Sequence, residues 1–261
     1  MNEWSLRRKR IILLLTLFCF VTLLGVPIFF FLHKTPTCSD GSMNGDEKGV
    51  DCGGSCKLIC KAEALPMLTK GDPRVIQVAT STYEVIVVAQ NPNVSASVIR
   101  AKYTFKLFSG SSTAPIKVIE GDTFIPRDSL FGLFEGPFKI EDARPVRSTF
   151  EWKQETLKWE KDLSTSPDLQ IENSILSNTG VSPRLEASIK NNSLQRIINI
   201  EAVALVMDAN SNIIGASKTF IESLEATKDE PLVFTWPAPF MGTSTSVEII
   251  PRILPDQSYI R

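Results

Sequence analysis

YEVIVVAQNPN, residues 83–93, decides the reading of this chain. A run rich in β-branched residues ends in Asn91-Pro92-Asn93, which is a strand running into a turn. One hundred positions later stands PRLEASIKNNS, residues 183–193, with Asn191 falling on Asn91. The correspondence continues outward. Thr123-Phe124-Ile125 falls near Thr219-Phe220-Ile221, and EGPF (135–138) near PAPF (237–240).

Around the first stretch lie further short apolar runs: VIQVA (75–79), VIRAKYTFKLF (98–108), IKVIEGDTFI (116–125), SLFGLF (129–134) and VRSTFEW (146–152). Their Val, Ile, Phe, Tyr and Thr content and their spacing are those of a sandwich or barrel. No long segment carries a sustained helical period. KQETLKWEKDL (153–163) does not declare itself helix or strand. The expected fold is all-β, with two tandem β-sandwiches at 75–163 and 164–261 joined through the turn-rich STSPD (164–168).

The other end of the chain is different. Ile11 to Leu32 is a run of 22 residues without a charge, enough for a helix of about 33 Å, against a hydrocarbon core of about 30 Å. Arg7, Arg8, Lys9 and Arg10 precede it, against one acid, Glu3. Positive flanks stay cytoplasmic, so the expectation is a cytoplasmic tail (1–10), a single transmembrane helix (11–32) and an exported remainder. The rival is a cleaved signal peptide, whose apolar core is shorter and ends in small residues rather than Phe29-Phe30-Phe31.

Residues 34–61 hold a glycine-rich module, CSDGSMNGDEKGVDCGGSCKLIC at 38–60, and 62–74 reads as a spacer. Cys38, Cys52, Cys56 and Cys60 are the cysteines of the exported part. So small a segment needs staples, and outside the cytoplasm these are disulfides, with three pairings open. Four-cysteine zinc is the rival, although the spacing lacks paired knuckles. Asp40, Asn44, Asp46, Glu47 and Asp51 offer hard oxygen ligands of the kind calcium takes; the same residue types also build turns.

The string C-x-D-G-x-x-N-G-x-E-x-G-V-D-C-G-G-x-C, carried here by Cys38, Asp40, Gly41, Asn44, Gly45, Glu47, Gly49, Val50, Asp51, Cys52, Gly53, Gly54 and Cys56, resembles a cysteine-rich motif of bacterial surface proteins. The last cysteine there often follows after two residues; here Cys60 follows after three. Phe105-Lys106-Leu107-Phe108-Ser109 and Ala204-Leu205-Val206-Met207-Asp208 resemble the F-x-L-[YF]-D strand of small immunoglobulin-like envelope modules, and desiccation-associated sandwich modules share the texture. These resemblances imply an exported, single-pass surface protein and no reaction.

Charge and chemistry narrow the function further. There are 28 basic and 29 acidic residues, so no basic field points to nucleic acid. One histidine, His33, lies beside the apolar run, and no phosphate loop, G-x-S-x-G elbow or HExxH occurs. Asn93-Val94-Ser95 and Asn191-Asn192-Ser193 fit a glycosylation sequon. Trp152 and Trp159 bracket a charged segment and could stack on a sugar, or pack in a core. The expectation is a membrane-anchored, non-enzymatic scaffold, adhesion or envelope-assembly protein with a protein or envelope partner. The alternative is a ligand- or glycan-binding or sensing module. Paired carboxylates keep an enzyme as a third reading.

Overall fold

The computed structural model describes residues 3–32, 36–110 and 112–255; His33 lies outside them. Met1–Cys56 forms one compact unit and Lys57–Arg261 a second.

The first unit opens with helix α1, Glu3–Leu32. Its stretch Arg7–Phe29 is long and apolar enough to cross a membrane and buries nothing of itself against protein. Apolar residues surround it on all sides, so it has no stripe with which to sit on a core. The hydroxyls of Thr16 and Thr22 donate to the carbonyls of Leu13 (3.0 Å) and Phe18 (2.9 Å), hiding the polar groups of the run within the helix. Pro27 lies inside the helix without ending it.

Among the described residues the regular structure of the second unit is strand apart from one short 3-10 turn. Its strands are β1 (Leu68–Thr69), β2 (Arg74–Ala79), β3 (Thr82–Asn91), β4 (Ala96–Phe108), β5 (Lys117–Ile125), β6 (Ser129–Lys139) and β7 (Arg147–Trp152), then β8 (Glu160–Lys161), β9 (Leu169–Ser177), β10 (Arg184–Asn191), β11 (Ile197–Met207), β12 (Ile213–Leu224), β13 (Asp229–Thr235) and β14 (Ser246–Ile253). All pairings are antiparallel. The undeclared segment 153–163 resolves into a 3-10 turn, Gln154–Thr156, and β8.

The strands make four sheets. In the first half β3 lies between β6 and the pair β1 and β2, and β4 lies between β5 and β7, with β8 beside its start. In the second half β10 lies between β9 and β13, and β11 between β12 and β14. The strand order of one half repeats in the other. In each half the two sheets close on one core. The first core joins Val85, Val87 and Phe131 to Phe105, Leu107 and Ile125. The second joins Leu185, Ile189 and Phe234 to Ile200, Ala204 and Leu224.

A third core lies between the halves. Ile76, Val78, Ile86, Val88 and Phe134 pack against Val203, Leu205, Ala216 and Ile250. The β2–β3–β6 sheet therefore lies face to face with the β12–β11–β14 sheet, and the sandwiches stack as four layers. The approach is close at Gly132 of β6, where an added Cβ would stand 2.8 Å from Val203 Cγ1.

The sequence dictates which faces meet. A strand covered on both sides cannot alternate, and residues 85–89 of β3 and 202–206 of β11 are buried without interruption. At the outer sheets the same strand positions turn polar. Where β3 presents Ile86 and Val88 to the neighbour, β10 presents Glu186 and Ser188 to water. On the outward face of β4 stand Lys102 and, paired to Glu151 at 2.9 Å, Lys106, where the covered face of β11 carries Val203 and Leu205. Arg100–Asp122 (2.9 Å) and Lys153–Glu120 (2.8 Å) complete a charged outer face. Such exposed pairs add little stability, but they keep the face wet, and the stack ends at two.

The spacer expected over 62–74 is ordered against the first sandwich. Ile59, Ala64 and Met67 pack on the first core. Ile59 N donates to Trp159 O (2.9 Å), and Lys57 pairs with Glu160 (2.6 Å). β1 joins the edge of β3. Apolar residues in a linker-like stretch are the reason: each removes surface that a free spacer would leave in water.

Candidate functional site

In the cysteine module Cys38 and Cys56 are bonded at 2.01 Å, with Cα atoms 5.6 Å apart. Cys52 and Cys60 are also in disulfide linkage, and Cys19 in the apolar helix is the free cysteine among the described residues. Disulfide sulfurs carry no thiolate, which removes the donor set a zinc site would need.

The four carboxylates accept hydrogen bonds within the turns, while Asn44 takes part as a donor and its Oδ1 is buried without a partner. Asp40 accepts from Ser42 N (2.9 Å) and Asn44 Nδ2 (2.8 Å). Both carboxylate oxygens of Asp51 accept from Gly41 N at 3.1 Å. Asp46 accepts from Ser55 Oγ (2.7 Å), and Glu47 from Asn44 N (3.2 Å). Among the described residues the acids do not gather around a common point. The close group is Glu47 with Cys38 and Cys56, and both of those are spent on their disulfide. Gly54 has φ +55°, and a Cβ there would stand 1.9 Å from Asp46 O, so only glycine closes this turn.

The two tryptophans form no platform. Trp159 is 5% exposed and belongs to the first core, so it has no face to offer a sugar. Trp152 is half-buried on the same core, edge-on to Phe150 (5.0 Å) and Tyr103 (6.0 Å). Trp236, near the corresponding place in the second half, is buried and donates from Nε1 to Ala216 O (2.8 Å).

Nor do the sequons present acceptors. Asn93 is buried, and its side chain brackets Leu65, donating to O (2.9 Å) and accepting from N (2.7 Å). Asn191 is wholly buried. Its Nδ2 donates to the carbonyls of Gln195 (2.8 Å), Glu225 (3.1 Å) and Leu224 (3.3 Å), and Oδ1 accepts from Ser193 N (2.9 Å). Asn91, equally buried, does the same work: Nδ2 donates to Ala96 O (2.8 Å) and Pro126 O (2.7 Å), and Oδ1 accepts from Asn93 N (3.0 Å). Each amide ties a strand end to two loops. An amide can do this because it carries two donors and an acceptor on one planar group.

What sequence reasoning missed is the polar seam between the sandwiches. Arg252 of β14 is buried to within 6% at its side chain. Its guanidinium pairs with Glu201 of β11, and Nη1 donates across the junction to Thr123 Oγ1 (2.9 Å) and Phe124 O (3.1 Å). Lys218 of β12 stands 3.5 Å from the other oxygen of Glu201. On the facing sandwich the Tyr103 hydroxyl donates to Glu135 (2.6 Å); burial first, then this carboxylate, raise the phenol above its usual range. Only the charge of Arg252 in an otherwise apolar run, IIPRIL (249–254), could have signalled this. Its partners lie more than 50 residues away in sequence, so no local pattern names them.

Glu84 of β3 sits on the same face as Ile86 and Val88. Its Oε2 is buried without a partner, and desolvation pushes its pKa up to about 7.

No protein-family model matches the chain, and no curated protein matches it. Among solved structures it is similar to the transglutaminase of red sea bream, with 8% identity and a TM-score of 0.25. That match covers 78% of this chain and 32% of the other, so the chain spans about a third of that protein's length. At this level the likeness carries no assignment of function.

Proposed function

We propose that this chain is a membrane-anchored, non-enzymatic scaffold of a bacterial cell envelope. Its N-terminus lies in the cytoplasm, and its immunoglobulin-like modules lie outside, where they hold a protein or envelope partner. The observation that carries this reading is the third core. Burying one sheet face of each sandwich against the other makes a single body whose internal geometry cannot drift, which suits holding a partner at a fixed place. The repeated strand order supports a duplicated module. The oxidised cysteines and the apolar helix support an extracytoplasmic body behind a membrane anchor. The terminal nitrogens of Arg252 in the seam and the loop-tie amides are engaged with side chains or backbone, as in a structural unit.

The test is protease treatment of intact cells carrying the full chain, followed by alkaline washing of their membranes. The reading expects an undigested chain that resists alkaline extraction before treatment and loses residues 57–261 to external protease. A product lacking the apolar helix and released without protease would overturn it.

A further inference from the structure

Between the sandwiches, on the Glu201 side of Arg252, opens a cleft of about 280 Å3. Phe124 of β5 and Phe220 of β12 line it from opposite halves. They are the corresponding residues of the repeated Thr-Phe-Ile. Phe220 is 52% exposed, an apolar ring left in water at the mouth of a cleft.

The charges in the cleft are unevenly matched. Arg252 is committed to Glu201, Thr123 and the Phe124 carbonyl. Asp122, at the rim of the cleft, is held on the outer face by Arg100 through two bonds, 2.9 and 3.2 Å. Glu201 faces two cations, Arg252 and Lys218. Glu135 accepts one hydrogen bond, from the Tyr103 hydroxyl, and among the described residues has no cation within ion-pair distance. An incoming anion would have to compete with Glu201 for cations already paired. An incoming cation finds a carboxylate with free lone pairs and aromatic rings beside it. The cleft already receives one such group: the Lys218 ammonium lies 5.8 Å from the centre of the Phe134 ring.

We propose that this cleft binds an organic cation, an alkylammonium or guanidinium group, at Glu135 between the rings of Phe124 and Phe220. The inference does not rest on the anchoring of the chain. A free amine and a basic side chain of a peptide present the same chemistry.

The test is calorimetric titration of the full chain in neutral maltoside micelles. The probes are n-butylammonium and n-butylguanidinium, with n-pentanol as the uncharged control. Saturable binding of the cations without binding of the alcohol is expected. Glu135→Gln keeps an acceptor for Tyr103 and should leave melting unchanged while weakening binding roughly tenfold. Phe220→Ala, at an exposed position, should weaken it several-fold. Lys218→Met removes a competing ammonium and should tighten it; weaker cation binding in this variant would overturn the proposal. Absence of saturable cation binding, or binding indifferent to both Glu135→Gln and Phe220→Ala, would also overturn it. Ac-Gly-Lys-Gly-amide, set against its norleucine analogue, separates the sources. Tighter binding than the free amine marks a peptide ligand, and equal binding a small amine; either upholds the site.

Discussion

A double-mutant cycle at Gly132 and Val203 probes the face-to-face stack directly. Val203 is 1% exposed. Val203→Ala removes two methyl groups, about 1.6 kcal/mol at 0.8 kcal/mol each, and the space left behind brings the loss to about 2 kcal/mol. Gly132→Ala adds a methyl at 2.8 Å from Val203 Cγ1, with Val203 Cβ at 3.1 Å. Val203 is β-branched and cannot swing away, so the sheets must part; overpacking of this kind costs about 1–3 kcal/mol. The alanine also stiffens the unfolded chain, which returns about 0.5 kcal/mol. If the residues were strangers, the double variant would lose roughly 3–4 kcal/mol, the sum of the two. In the stack the new methyl fills the space Val203 vacates, and the double variant should lose no more than about 1–2 kcal/mol, a coupling of about 2 kcal/mol. The assay is urea unfolding of the full chain in micelles, followed by Trp fluorescence. Additivity within about 0.5 kcal/mol would show that the two sheets do not touch there.

Three further outcomes follow from the buried polar groups and the disulfides. Asn91→Ala and Asn191→Ala each strand buried carbonyls and should cost about 3 kcal/mol or more in urea unfolding; Asp at either site should not rescue, because a carboxylate cannot donate to carbonyls. Glu84, whose folded pKa of about 7 lies above its ordinary 4.5, favours the fold when protonated, so its contribution is full below pH 4.5 and is lost as pH rises through 7. Glu84→Gln should therefore melt with wild type at pH 4.5 and above it at pH 8; equal melting at both would remove the desolvated carboxyl from the account. In denaturant without reductant one thiol per chain should titrate, that of Cys19, and opening Cys38–Cys56, separated by 18 residues, should cost about 3 kcal/mol; five reactive thiols would contradict the stapled module.

The strands were legible because their signal is local. YEVIVVAQ (83–90) lies inside β3 and VIRAKYTFKLF (98–108) inside β4, and the offset of 100 sets Asn91 and Asn191 at the same strand end. The apolar helix and the oxidised state of the four cysteines were legible for the same reason, through composition and compartment. The stack was written in the chain as well, in the contrast between the unbroken VIVVA of β3 and the alternating LEASIK of β10. A strand reading alone does not use that contrast, because one covered face already explains a strand. Asn91 and Asn191 looked like turn or sequon residues because a buried amide and an exposed one are spelled alike. Trp159 looked like a platform because it stands between charged Lys158 and Glu160, just before the two-residue β8, while its ring is turned into the core. The Arg252 seam needed the fold itself, since it brings residue 123 to residue 252.

The central claim is that the two sandwiches are one body, and calorimetry of the full chain tests it most directly. With about 0.7 kcal/mol per residue near 60 °C, a unit the size of Lys57–Arg261 should melt in one transition of about 140 kcal/mol. Its van't Hoff enthalpy should equal the calorimetric one. Two separable transitions of about 70 kcal/mol each, or a calorimetric enthalpy about twice the van't Hoff value, would show two independent sandwiches and contradict the third core.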